Sequence, residues 1–143
     1  MNQSVNPYML FFCLGLSSAI QSAELVLTVD KIKHVSGNLM IAVYDNKKSW
    51  DTNQDILINR IVPVTQTTIT ITFENLPTTT AKVNYAIKLY QDENSNGALD
   101  KNFLGIPSER YGFSNNGGYF GLPSFEKATI KQEQMLITRI HLQ

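Results

Sequence analysis

Thr68-Ile69-Thr70-Ile71-Thr72-Phe73 alternates polar and apolar side chains without a break. An extended chain turns successive side chains to opposite faces, so Ile69, Ile71 and Phe73 share one side and the threonines the other. The stretch therefore predicts a β-strand with one face in a core. Glu24-Leu25-Val26-Leu27-Thr28-Val29-Asp30 repeats the pattern, with Leu25, Leu27 and Val29 inward. Ser36-Gly37-Asn38 supplies a turn before a third strand, Leu39 to Tyr44.

Further along, Lys82 to Tyr90 and Gln134 to Leu142 read as strands, and Asn75-Leu76-Pro77 as a break after Phe73. Shorter candidates are Arg60-Ile61-Val62, which Pro63 confines to a sheet edge, and Lys127 to Lys131. About seven short strands separated by turn signals predict an all-β fold, an antiparallel β-sandwich. Slipping any alternating strand by one residue would turn its apolar set to water, so pairing is well specified. No internal repeat or linker divides the chain, and residues 24–143 are expected to form a single domain.

The first 23 residues contain no Lys, Arg, Asp or Glu. An apolar run from Tyr8 to Leu16 precedes the small-residue stretch Ser17-Ser18-Ala19-Ile20-Gln21-Ser22-Ala23. This layout predicts a secretory signal peptide over residues 1–23, cleaved after Ala19 or Ala23, and a periplasmic or secreted protein. Cys13 lies in the apolar run without the small residue just upstream that lipid attachment requires. The mature chain would then hold no disulfide and depend on its core, or on a metal. All twelve basic and twelve acidic residues fall after the leader, so its formal charge is zero. No basic patch follows a phosphate backbone, and no later run is long enough to span a membrane. Nucleic acid is thus not an expected partner.

One segment carries specific chemistry. Asp92-Glu93-Asn94-Ser95-Asn96-Gly97-Ala98-Leu99-Asp100 places oxygen-bearing side chains at alternate positions, then a glycine, then a second aspartate. That is the spacing of the first nine residues of an EF-hand calcium loop, with ligands at one, three, five and nine and a backbone carbonyl at seven. The expected donors are Asp92, Asn94, Asn96, the Ala98 carbonyl and Asp100. Position twelve, where a bidentate glutamate closes such loops, falls on Phe103, and Glu109 is the nearest downstream substitute. With so few carboxylates the expectation is weak calcium binding, at about 0.1–1 mM. A metal-free polar turn is the alternative, since Asn, Asp, Ser and Gly favour turns for backbone reasons.

The connection that follows, Asn102 to Glu126, interleaves six aromatic residues with glycines and two prolines. Its rings need somewhere to bury, which predicts a self-packed lid over one end of the sandwich. The alternative is an aromatic platform built from Tyr111, Phe113, Tyr119 and Phe120, with Trp50 from the Asp45–Asn59 connection. Such a platform would meet a protein or polysaccharide partner.

Tyr85 to Asp100, Leu104-Gly105-Ile106-Pro107-Ser108-Glu109-Arg110-Tyr111-Gly112-Phe113-Ser114-Asn115-Asn116 and Pro123-Ser124-Phe125-Glu126-Lys127-Ala128 together resemble the DUF2141 family, small exported bacterial proteins of unknown function. The resemblance covers nearly the whole mature chain. It implies a periplasmic or secreted β-sandwich similar in outline to immunoglobulin-like and prealbumin-like modules, and it brings no established catalytic residues. Arg110 stands where the family pattern has a glycine, which bears on the local turn.

No acid, base and nucleophile constellation emerges from the residues themselves. His34 and His141 lie in or beside strands, and Ser108, Ser114 and Ser124 sit in no nucleophile signature. The expectation is a non-enzymatic binding or accessory module with a calcium-ordered loop. A purely structural domain, or a hydrolase using Asp92 and Asp100, are the alternatives.

Overall fold

The computed structural model describes residues 22–77, 84–131 and 135–143. The expected leader lies outside the described residues, as do Lys82, Val83 and Gln134 of the expected strands. Seven strands form two sheets. The strands are β1 (Ser22–Asp30), β2 (Asn38–Tyr44), β3 (Ile58–Pro63), β4 (Ile69–Pro77), β5 (Ala86–Asp92), β6 (Tyr111–Phe113) and β7 (Met135–His141). One sheet runs β4-β1-β7 and the other β3-β2-β5-β6. Two short helices, α1 (Lys47–Thr52) and α2 (Phe125–Ala128), stand at one end.

The core is the layer between the sheets. Leu25, Leu27 and Val29 are wholly buried from β1, as the alternation predicts, and Ile71 and Phe73 join them from β4. Leu39, Ile41 and Val43 of β2 and Ile87 and Leu89 of β5 face them from the other sheet. Gly112 of β6 lies against β7, where an added Cβ would be 2.5 Å from Ile140 Cγ2. Only a glycine leaves β6 room to lie against β7 there.

Four expectations need correction. The sandwich is all-β, but the β1–β7 pair is parallel, from Glu24 beside Met135 to Asp30 beside His141. Alternation sets a strand's faces and not its direction, and here the whole chain serves as the long connection that parallel pairing needs. Asn75 does not end β4. It adopts φ 56°, and the register against β1 shifts between Ala23 and Leu25. This bulge changes the parity of the strand, so that Phe73 and Leu76 are both buried. Lys127 to Lys131 is not a strand: α2, N-capped by Ser124, ends at Ala128, and Ile130 makes an isolated bridge to Tyr85. Ala128 and Ile130 are buried nonetheless, which is what produced the strand-like alternation. Finally, the long connection contains β6, which completes the edge of the four-stranded sheet beside β5.

The outer faces of the two sheets differ in chemistry. On the three-stranded sheet, Thr28 and Thr70 meet hydroxyl to hydroxyl at 3.3 Å. At its end Asp30 holds Arg139 at 3.0 Å and accepts from His141. Burial raises the Asp30 pKa, but the hydrogen bonds and charges of His141 and Arg139 outweigh it, leaving the carboxyl below its ordinary value. The outer face of the four-stranded sheet instead carries Met40, Ala42, Tyr90, Tyr111 and Phe113, all half-buried.

Candidate functional site

The acidic loop begins where β5 ends. Asp92, the last residue of that strand, is 2% exposed. Its Oδ1 accepts the Asn96 amide at 3.0 Å and its Oδ2 the Gly97 amide at 2.8 Å. Asn94 Oδ1 also accepts from Asn96 N, and Asn96 Oδ1 from Ala98 N. These side-chain-to-backbone bonds wind the segment into successive Asx turns, with Ser95 and Gly97 at positive φ.

The loop gathers its expected donors. Asn94 Nδ2 lies 2.7 Å from Asp100 Oδ2, and Asn96 Nδ2 lies 3.0 Å from Asp100 Oδ1. Asp92, Asn94, Asn96 and Asp100 are therefore linked by hydrogen bonds within one turn of chain. Among the described residues no three His, Cys, Asp or Glu side chains form a metal-holding group. A cation here would rest on two carboxylates, two amides and the Ala98 carbonyl.

Glu109 takes a more specific position than a distant substitute ligand. It is buried, and its Oε1 accepts the Glu93 amide at 2.9 Å while Oε2 accepts the Asp100 amide at 3.0 Å. One carboxylate thus clamps both ends of the loop. Glu109→Gln keeps the shape but can present only one oxygen. It is expected to lower stability by about 1–3 kcal/mol, the cost of one charge-assisted bond and an orphaned amide, read by urea denaturation. A loss below about 0.5 kcal/mol would mean that the clamp does not hold the loop.

Other contacts fix the loop to the body of the sandwich. Tyr90 Oη donates to Gly97 O at 3.1 Å, and Asn38 Nδ2 to Ser95 Oγ at 3.3 Å. Burial, then the charges of Asp92 and Glu109, push the Tyr90 phenol above its ordinary pKa. Gln91 Nε2 ties the neighbouring turn down by donating to His34 O and Ser36 O. Arg110 Nη1 reaches across to Lys31 O at 3.1 Å, a contact between loops.

The aromatic residues divide. Trp50 is wholly buried against Tyr44, Phe113 and Phe125 and donates to Pro123 O at 3.0 Å. It plugs the helical end of the sandwich and offers no platform. Phe113 and Tyr111 lie edge to face on the outer surface of β6. Tyr119 and Phe120 are fully or largely exposed, as are Phe103 and Leu104 at the tip of the neighbouring loop. The expectation of a self-packed lid therefore holds for Phe113 and Phe125 but not for these tips.

A groove of about 650 Å³ lies on the outer face of the four-stranded sheet, and Gly105 and Gly121, next in the chain to Leu104 and Phe120, are part of its lining. Met40, Ala42, Tyr90, Tyr111 and Phe113 contribute to its floor. Leu99 and Pro107, from the acidic loop and its continuation, line one side, and Ile56 and Leu122 add further apolar surface. Lys88 also lines it. The Lys88 Nζ donates to Trp50 O and to Asn53 Oδ1 and lies over the rings of Tyr44 and Trp50, 4.8 and 4.5 Å from their centres. Burial pulls its pKa below the ordinary lysine value, and the charge of Asp51 opposes that shift. Sequence reading missed this lysine. The available signal was a cation on an outward strand position between apolar neighbours.

A family model described as "Uncharacterized protein conserved in bacteria (DUF2141)" matches residues 27–138. No curated protein and no solved structure matches the chain.

Proposed function

The chain belongs to the DUF2141 family, and on that premise we propose that it is an exported, non-enzymatic binding module with a calcium-ordered loop beside its binding groove. The observation that carries this reading is the contrast between the two outer sheet faces. A solvated face is ordinarily polar, as the threonine-lined one mostly is apart from Val26 and Ile137, whereas the other is largely apolar, concave and walled by long loops. Ligand sites are commonly built in this way, from loops placed on a rigid scaffold.

Export is supported by the charge-free leader and by a mature chain without cysteine. Cleavage after Ala19 would keep Ala23, which is buried in β1 opposite Leu76. Among the described residues no helix is long and apolar enough to cross a membrane. The expected partner is a protein or polysaccharide met at the groove and its exposed aromatic tips.

Calcium is supported by the donor set, in which Asp92, Asn94, Asn96, Asp100 and the Ala98 carbonyl stand at EF-hand spacing within one turn. One observation favours the metal-free reading instead: the Asp100 carboxylate already accepts from both amides. Those bonds, with the Asn96 and Gly97 amides on Asp92, occupy the carboxylates that a hydrolase would need. A thermal melt of the mature protein in millimolar calcium and in EGTA separates the first two readings. At about 100 times its dissociation constant, calcium adds roughly 2.7 kcal/mol, a shift of several degrees. Asp100→Asn, which leaves the Asp92 turns intact, is expected to abolish that shift. Superimposable melts would make the loop a structural turn.

A further inference from the structure

We infer that the groove binds a small amphiphilic carboxylate, with an acyl or aryl body over Met40, Tyr90 and Tyr111 and its anionic head at Lys88. The inference rests on the binding-module reading and not on calcium. Three observations converge on this class of ligand.

The first is charge. Lys88 is a half-buried ammonium with neutral oxygens and ring faces around it, and among the described residues no carboxylate lies within 4.0 Å of it. Two of its three donors are used, by Trp50 O and Asn53 Oδ1. An ammonium drawn partly out of water with no carboxylate in contact favours an anion beside it.

The second is the poverty of polar partners. A saccharide presents many hydroxyls, each of which needs a donor or acceptor. Here Asn53 Oδ1 already accepts from both Tyr44 Oη and Lys88, and Tyr90 Oη is committed to Gly97 O. Asn59 and Lys101 add two polar side chains, but most of the lining is methyl, thioether and ring surface, which suits a hydrocarbon. The third is size. The groove's volume, about 650 Å³, suits one small molecule. Lys88 and Tyr90 stand two residues apart on one face of β5, about 7 Å along the strand. A head at Lys88 thus places a medium-length chain across Tyr90 toward Leu99.

The test is isothermal titration of the mature chain with sodium decanoate below its micelle-forming concentration, in calcium and in EGTA. Decyltrimethylammonium and glucuronate are titrated alongside. Saturable one-to-one binding of decanoate is expected, with the cationic amphiphile weaker by about tenfold or more. Lys88→Met removes the charge and keeps most of the volume, and it is expected to weaken decanoate by about tenfold. Ala42→Phe fills the floor directly across the strand pair from Lys88, and it is expected to abolish binding while the melt stays cooperative. Equal affinity for the two amphiphiles, or unchanged decanoate binding in Ala42→Phe, would overturn the proposal. Glucuronate binding in place of decanoate would also overturn it while leaving the binding-module reading in force, and a calcium response without decanoate binding would separate the loop from the groove.

Discussion

Trp50→Ala is expected to destabilise the domain by about 3–5 kcal/mol, the range for emptying a buried aromatic site. The indole is fully enclosed and meets three rings edge-on, at centroid separations of 5.4 to 6.2 Å. Its removal leaves a cavity among α1, α2, Tyr44 of β2, Ala86 of β5 and Phe113 of β6. The Pro123 carbonyl also loses its donor. Urea denaturation should show the midpoint falling with the slope unchanged, since the surface exposed on unfolding hardly differs. Trp50→Phe should recover part of the loss. A cost below about 1 kcal/mol would mean that the helical end contributes little to the fold. Lys88 loses one of its two ring faces in the same variant, so the groove cation should be perturbed as well.

Gly37→Ala has an expected cost of comparable size for a different reason. Gly37 sits at φ 65°, and a Cβ there would fall 1.9 Å from Asp92 O and 2.7 Å from Glu93 Cα. The obstacle on that side is main chain and cannot rotate away. Left-handed backbone costs a residue with a side chain about 1–2 kcal/mol, and overpacking against a fixed neighbour about 1–3 kcal/mol more. Gly97→Ala provides the control. It has φ 80° but nothing within 4 Å of a new Cβ, so only the conformational cost of about 1–2 kcal/mol should appear. Thermal denaturation of the two variants side by side tests the difference. Equal costs would mean that the Gly37–Asp92 contact yields. The contact also places the first residue of the acidic loop, so Gly37→Ala is expected to blunt any calcium response, whereas Gly97→Ala alters the loop from within.

The strands with strict alternation were legible because burial of one face imposes it. Leu25, Leu27, Val29, Ile71 and Phe73 all lie where that rule puts them. Pro63 likewise marked β3 as an edge. The direction of β7 was not legible, because alternation is the same read from either end. β6, with three residues, is too short to show a period, and a sheet edge rather than its own pattern defines it. The helix α1 did leave a signal that went unread: Asn46 Oδ1 caps Ser49 N at 2.9 Å, and Lys47 pairs with Asp51 one turn on. At the acidic loop the spacing identified which residues come together. It gave no sign that Glu109 would bind backbone amides, since those amides exist as targets only once the turn has formed. The groove was hidden for a related reason: its floor comes from three strands, and Leu39 to Tyr44 reads as one apolar run with no indication that alternate residues face outward.

The parallel pairing of β1 with β7 has a consequence for when the protein can fold. β1 is the central strand of its sheet, and one of its two edges is completed only by residues 135–141. While the chain is being made, that edge stays open until residues 135–141 have been added. Contacts spanning almost the full sequence also close slowly, because the entropy of the long loop is lost before the pairing returns anything. The topology acts as a timer that holds back completion of this sheet until the seventh strand has been made.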